Sequence, residues 1–173
     1  MQWRRFTILS IFMSEQDIQL TKDAVVSLRE VTTDNLDDIL RLKVKPEQEK
    51  FVADNAVSIA QAHFEDKAWF RAIYADETPV GFLMLYDDPE TNDYFLWRFM
   101  IDQRYQGLHF GRQALKQLID YVRAVPGAQE LLVSYVPEEG NPGPFYASMG
   151  FAETGQLQDD ENVMKLEFKR ELA

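Results

Sequence analysis

Apolar and polar residues change period several times along the chain, and each change predicts an element. In VVSLREV (Val25–Val31), Val26, Leu28 and Glu30 alternate with Ser27 and Arg29, the pattern of a strand. Leu36, Ile39 and Leu40 share one face of a helix running from Asn35 to about Lys43, with Asp34 as its cap. Pro46 sits at a first helical position. Behind it Phe51, Val52, Ala56, Ile59, Ala60 and Phe64 recur at helical spacing, which predicts one long helix. Ala68–Ala75 and Pro79–Tyr86 are apolar runs on either side of a short polar segment and read as a hairpin. Tyr94–Asp102 is apolar on both faces apart from Arg98 and reads as a central strand.

Leu115, Leu118, Ile119 and Val122 then mark the buried side of a helix that Pro126–Gly127 ends. ELLVSYV is a strand, EEGNPGP a tight loop, FYASMGF a short helix stopped by Gly150, and NVMKLEF the closing strand. The order is β α α β β β α β α β, with room for another short strand after Gly150. Strand–helix–strand units after residue 94 imply parallel pairing, whereas the earlier hairpin is antiparallel. The expected class is therefore α/β with a mixed α+β sheet: six to seven strands and about four helices in one domain.

Composition narrows the chemistry. The chain has 173 residues, 46% of them hydrophobic and 13% aromatic, enough for a sizeable core. Lys plus Arg is 18 against 29 Asp plus Glu, a net charge of −11, which argues against nucleic acid as a partner and favours cationic ones. Cysteine is absent and histidine occurs only at positions 63 and 109, so thiolate chemistry, disulfides and a His-rich metal cage are excluded and no metal is expected. No run approaches the roughly 18 apolar residues of a membrane span. Near the start, Arg4 and Arg5 precede a short apolar run that resembles a miniature signal peptide. Ser10 interrupts it, no small-x-small cleavage site follows, and Met13 opens an ordinary cytosolic start. Residues 1–24 are read as a poorly ordered extension, residues 25–173 as the domain, and the protein as cytoplasmic.

The acidic chain gathers arginines and glycines in RYQGLHFGRQAL (Arg104–Leu115). Gly107 and Gly111 lie between the end of an apolar strand and the first buried residues of a helix. The first amides of a helix lack intrahelical partners and carry partial positive charge, and glycine lets the backbone approach a ligand closely. Arg104, Arg112 and Lys116 add cations, as does His109 when protonated. This is the context of a phosphate cradle, or simply of a strand-to-helix turn that needs glycine. No Gly-Lys-Ser/Thr follows, and the third glycine of the dinucleotide motif is missing.

The stretch resembles the acetyl-CoA signature of the GNAT superfamily of N-acetyltransferases, Gln/Arg-x-x-Gly-x-Gly/Ala after the fourth strand. Arg104 and Gly107 take their places in it, and His109 stands where the family has a small residue. PFYASMGF (Pro144–Phe151) is similar to the family's Phe-Tyr-x-x-x-Gly-Phe segment. LKVKPEQEKFVADNAVSIAQA and RFMIDQRYQG look like the bacterial spermine/spermidine acetyltransferase group. The resemblance covers about residues 25–170 and implies a GNAT-like fold, acetyl-CoA as cosubstrate, a small-molecule amine as acceptor, and also allows a homodimer.

Acetyl transfer from a thioester to an amine needs a neutral amine, a stabilised oxyanion and a proton for the departing thiolate. The resemblance gives the backbone of Phe99 and Ile101 the task of aligning the pantetheine arm, and an N–H at Met100 or Ile101 the thioester oxygen. It gives the amides from Gln106 through Leu108 and Phe110 to Arg112 the pyrophosphate, and Tyr146 the role of general acid. Asn141 is a further cofactor contact. The base is left open among Glu49, Asp54 and Glu65 on the long helix, Asp87, Asp88, Glu90 and Asp93 in the loop, and His63. Glu49, Asp54 and Glu65 with Tyr86, Trp97 and Trp69 also form a candidate ladder for a polycation. Two rival readings keep part of this: the same chemistry on another small amine, an aminoglycoside-like amine or a peptide amine, and CoA binding as a sensor or scaffold without turnover.

Overall fold

The computed structural model describes residues 20–168. A seven-stranded sheet is built from β1 (Val26–Arg29), β2 (Ala68–Ala75), β3 (Thr78–Asp88), β4 (Asp93–Ile101), β5 (Glu130–Tyr135), β6 (Ala152–Gln158) and β7 (Glu161–Glu167), in the order β1-β2-β3-β4-β5-β7-β6. Every neighbouring pair is antiparallel except β4 and β5, which the helix α3 (Phe110–Arg123) connects in parallel. The expected mixed sheet and central apolar strand, β4, are both present, and the short strand after Gly150 is β6; of the parallel pairing expected after residue 94 only β4–β5 forms, since β5 meets β7 antiparallel.

Each face of the sheet buries its own apolar layer. Ile73, Leu83, Leu85 and Leu96 pack with Phe110, Leu115 and Leu118 of α3 and with Tyr146 of α4 (Gly143–Ser148). Phe82, Met84 and Met100 pack with Ile39 and Leu42 at α1 (Leu36–Arg41) and with Ile59 of α2 (Asn55–Ala62). A bulge lies where β3 pairs Leu85 with Leu96 but Met84 with Arg98, leaving Trp97 as the extra residue. Leu96 and Phe99, three apart, consequently reach the same apolar layer.

Three boundaries differ from the sequence reading. The long helix after Pro46 is instead a 3-10 turn (Pro46–Gln48), a loop, and the eight-residue α2. Asp54 makes the break: its Oδ1 accepts a hydrogen bond from the Val57 amide at 2.9 Å and so caps a new helix start. α1 begins after Asn35 rather than Asp34, and Asn35 is tied outward, donating to the Glu30 carbonyl and accepting from the Thr32 amide. Leu20 and Ala24 belong to the core, so the packed structure includes residues ahead of the expected boundary at Val25. Residues 1–19, with the arginine pair and Met13, lie outside the described residues. Among the described residues no helix is long and apolar enough to cross a membrane.

Two features of β4 set the geometry of an opening beside it. β5 keeps register with β4 only at Phe95↔Leu132 and Leu96↔Val133, then pairs with β7 over its whole length. The remainder of β4, through Ile101, therefore has no strand partner on that side. At the end of β4, Asp102 is 2% exposed. Its carboxylate accepts from the backbone amides of Lys43 and Arg104, both at 2.9 Å, and from the Arg104 guanidinium at 2.8 Å. Burial alone would raise the pKa of Asp102, but these hydrogen bonds outweigh it and hold the carboxyl below its ordinary range. Asp102→Ala leaves two amides without acceptors and is expected to cost about 2–3 kcal/mol in urea unfolding. Because the native pKa lies below the unfolded one, the stabilisation is complete above about pH 5 and fades as pH falls through the native value. The gap between wild type and variant should close in acid.

Candidate active site

A cavity of about 780 Å³ opens where β4 and β5 part. Phe95–Ile101 of β4 form one wall, the turn leading into α3 another, and Asn141, Pro142, Phe145 and Tyr146 a third. The loop after the 3-10 turn closes the far side with Glu49, Lys50, Phe51 and Val52. The cavity thus joins an unpaired strand edge, a helix entrance and a buried tyrosine.

The helix entrance is shaped by two left-handed residues, Gly107 at φ 81° and His109 at φ 65°. His109 adopts a left-handed conformation that glycine, one of the two residues the family signature allows there, would reach at less cost. The first intrahelical acceptor of α3 is the His109 carbonyl, which takes the Gln113 amide at 3.2 Å. The helical amides ahead of Gln113 have no acceptor within the helix, which leaves the partial positive charge of this end at the cavity wall. Gln106 holds the approach by donating to the Ile101 carbonyl at 3.0 Å and to the Gln48 side chain at 2.8 Å. Arg112 donates to the Ser148 hydroxyl at 2.8 Å and so joins α3 to the end of α4.

α4 is seated by stacking and by one close approach. Phe145 stacks on Phe99 of β4 with centroids 5.9 Å apart, and Tyr146 packs between Phe145 and Phe151. Asn141 Oδ1 accepts from the Gly143 amide at 2.9 Å, which satisfies the helix start. A Cβ at Gly143 would come within 2.8 Å of both Asn141 Oδ1 and the Tyr135 ring. The Tyr146 ring is 5% exposed, and burial, followed by the charge of Glu161, pushes its phenol well above the ordinary value. Tyr146 therefore stays protonated across the neutral range.

The cavity gathers most, but not all, of the residues expected from sequence. Phe99, Met100, Ile101, Gln106, Gly107, His109, Phe110, Gly111, Arg112, Asn141, Tyr146, Glu49 and Trp97 line it. Arg104 is instead committed to Asp102, Leu108 packs against the core, and Lys116 pairs with Asp120. Asp54 caps α2 and lines a neighbouring cavity of about 280 Å³. Glu65 and Tyr86 lie elsewhere, in a group with Asp88 and Asp93 whose charges, after burial, raise the Tyr86 phenol. In that region Lys67 neutralises Asp88 at 3.1 Å and Glu90 at 3.4 Å. Asp87 accepts from Tyr121 at 2.6 Å, and burial together with this bond pushes that phenol up to about 12. His63 ends α2 against Phe64. Sequence reading missed Glu161 and Ser134, which also line the cavity and hydrogen bond to each other. Only the register of β5 with β7 brings them together, and no local motif carries that information.

Comparison with known proteins agrees with this geometry. The model of the Acetyltransferase (GNAT) family matches residues 32–151, and the chain belongs to that family. It is thus an N-acetyltransferase by family. A spermine/spermidine N(1)-acetyltransferase of Bacillus subtilis is 28% identical over 148 residues, 80% of this chain and 96% of the relative. Among solved structures, spermidine N-acetyltransferase from Vibrio cholerae, in complex with CoA and spermine, aligns with TM-score 0.63 and 16% identity over 82% of this chain and 95% of that one. The ribosomal-protein-S18-alanine N-acetyltransferase of Escherichia coli aligns equally well, TM-score 0.63 and 16% identity, over 86% and 99%. At such identities the structural matches establish the fold, and they are equally good for a polyamine and a protein acceptor.

Gly143→Ala forces either the Tyr135 ring or the start of α4 to move. The expected loss is about 1–3 kcal/mol in thermal or urea unfolding, the usual range for overpacking. An unchanged midpoint would mean that the contact relaxes freely.

Proposed function

We propose that this chain transfers the acetyl group of acetyl-CoA directly to a primary amine, and that the amine belongs to a polyamine such as spermidine or spermine. The observation that carries the reading is the placement of Tyr146, the unpaired edge of β4 and the entrance of α3 around one cavity. These residues fit the cofactor: a free strand edge suits an extended amide-bearing arm, and a helix entrance with free amides suits a diphosphate. When bound, acetyl-CoA supplies the thioester. The backbone of Phe99–Ile101 aligns the arm, the amides from Gln106 to Arg112 hold the diphosphate, and Tyr146 protonates the sulfur that leaves. No cysteine is present to carry the acyl group, which supports direct transfer.

The polyamine reading is supported by the Bacillus relative and by the cavity lining, which includes Glu49, Asp159 and Glu161 as well as Phe51 and Trp97. Carboxylates interleaved with aromatic faces suit ammonium groups separated by apolar spacers. Arg98 favours a second reading, an amine that carries a carboxylate or peptide group. Arg98 lines the cavity, and among the described residues its buried Nε has no partner and its guanidinium donates only to the Trp97 carbonyl and the Gln61 side chain.

A panel of spermidine, spermine, amino acids and peptides, assayed with acetyl-CoA for thiol release, separates the two. Turnover of polyamines above all others is expected, and turnover of peptides alone would reject the polyamine. Tyr146→Phe should lower kcat by about 100-fold or more while calorimetric CoA affinity stays unchanged. With its phenol raised, Tyr146 should contribute no basic limb to the rate profile below about pH 10.

A further inference from the structure

Three carboxylates line the cavity, and they are not equivalent. Glu49 and Asp159 are exposed, whereas Glu161 is half-buried. Glu161 opens β7, and the hydroxyl of Ser134 on β5 donates to its Oε2, fixing the carboxylate where the sheet parts. The charged and titratable groups that sense it come from two other elements, Tyr146 on α4 and Arg98 on β4. Glu161 thus lines the same cavity as Tyr146 and Arg98 and acts electrostatically on both.

We propose that Glu161 is the catalytic base, taking the proton that makes the acceptor amine nucleophilic. The inference rests on the acetyltransferase reading and adds to it the residue that sequence left unassigned. An alkylammonium with pKa near 10 is neutral in only about one molecule per thousand at pH 7. Paired with Glu161, the ammonium passes one N–H proton to the carboxylate. The nitrogen lone pair then forms the C–N bond as the C–S bond breaks. Tyr146 gives its proton to the departing sulfur and regains one from the nitrogen of the new amide. Glu161 releases its proton to solvent, so one ammonium and one thioester yield one amide, one thiol and one proton. Arg98 helps from across the cavity, since a nearby cation disfavours a second charged group and so lowers the pKa of the bound ammonium. Ser134 is a positioning residue that holds the carboxylate in place.

The test is the pH dependence of the full-length chain, measured with acetyl-CoA and whichever amine of the panel is turned over best. Glu161→Gln keeps shape and removes the base. It should lower kcat/KM by about 100-fold near pH 7, and the deficit should shrink toward about pH 10, where the amine is neutral unaided. CoA affinity by calorimetry should be unchanged, which also reports that the variant is folded. Ser134→Ala should give a smaller loss with the same pH trend, and Glu161→Asp should recover part of the activity at neutral pH. Activity of Glu161→Gln within threefold of wild type, or a deficit of the same size at every pH, overturns the proposal while leaving the acetyltransferase reading intact. Failure of the wild-type chain to acetylate any amine overturns both. Loss of turnover with polyamines alone rejects only the acceptor.

Discussion

Everything about this site depends on two strands that stop hydrogen bonding. A parallel pair normally continues until one strand ends, because buried backbone groups without partners are costly. Here β5 leaves β4 after Leu96↔Val133, while its other edge stays paired with β7 along its whole length. The far half of β4 keeps its bonds to β3 on one side and presents the other side to the cavity. Such an edge is tolerated only if water or a ligand completes it, so the sheet offers a docking edge of the kind an extended amide chain fills.

The surrounding elements keep that opening from closing. α3 and α4 brace it from one face through the stack of Phe145 on Phe99 and the tie between Arg112 and Ser148. The same packing sinks Tyr146 into the core, and that burial is the main cause of its raised phenol pKa. Position and protonation thus have one cause, the short helix pressed against β4.

Much of this was legible in the sequence, and what was not has physical reasons. Alternation and apolar runs placed six of the seven strands, most firmly β2, β3 and β4, which are long and strongly apolar, whereas the exposed β6 carries no such pattern. The turn at Gly107 and the segment around Tyr146 are local motifs, so a single sequence exposes them. The supposed long helix misled because Phe51 and Val52 kept the spacing right, while Asp54 offered the backbone a better partner and restarted the helix. The ladder of acids and aromatics failed in part for another reason. Glu65 and Tyr86 do not line the cavity that Glu49 and Trp97 line, and composition does not encode which side chains share a cavity. Glu161 and Ser134 escaped notice because their pairing spans 27 residues and exists only through the β5–β7 register.

The latch at the end of β4 carries a last consequence. Lys43 is bound twice, its amide to Asp102 and its carbonyl to the Gln103 amide at 2.8 Å, and Gln48 is held by Gln106. The segment that leads to the loop of Glu49 to Val52 is therefore fastened to the turn that carries Gln106 and Gly107, two walls of one cavity. Were two ligands coupled through these bonds, thermodynamic reciprocity would require each to change the other's hold by the same factor.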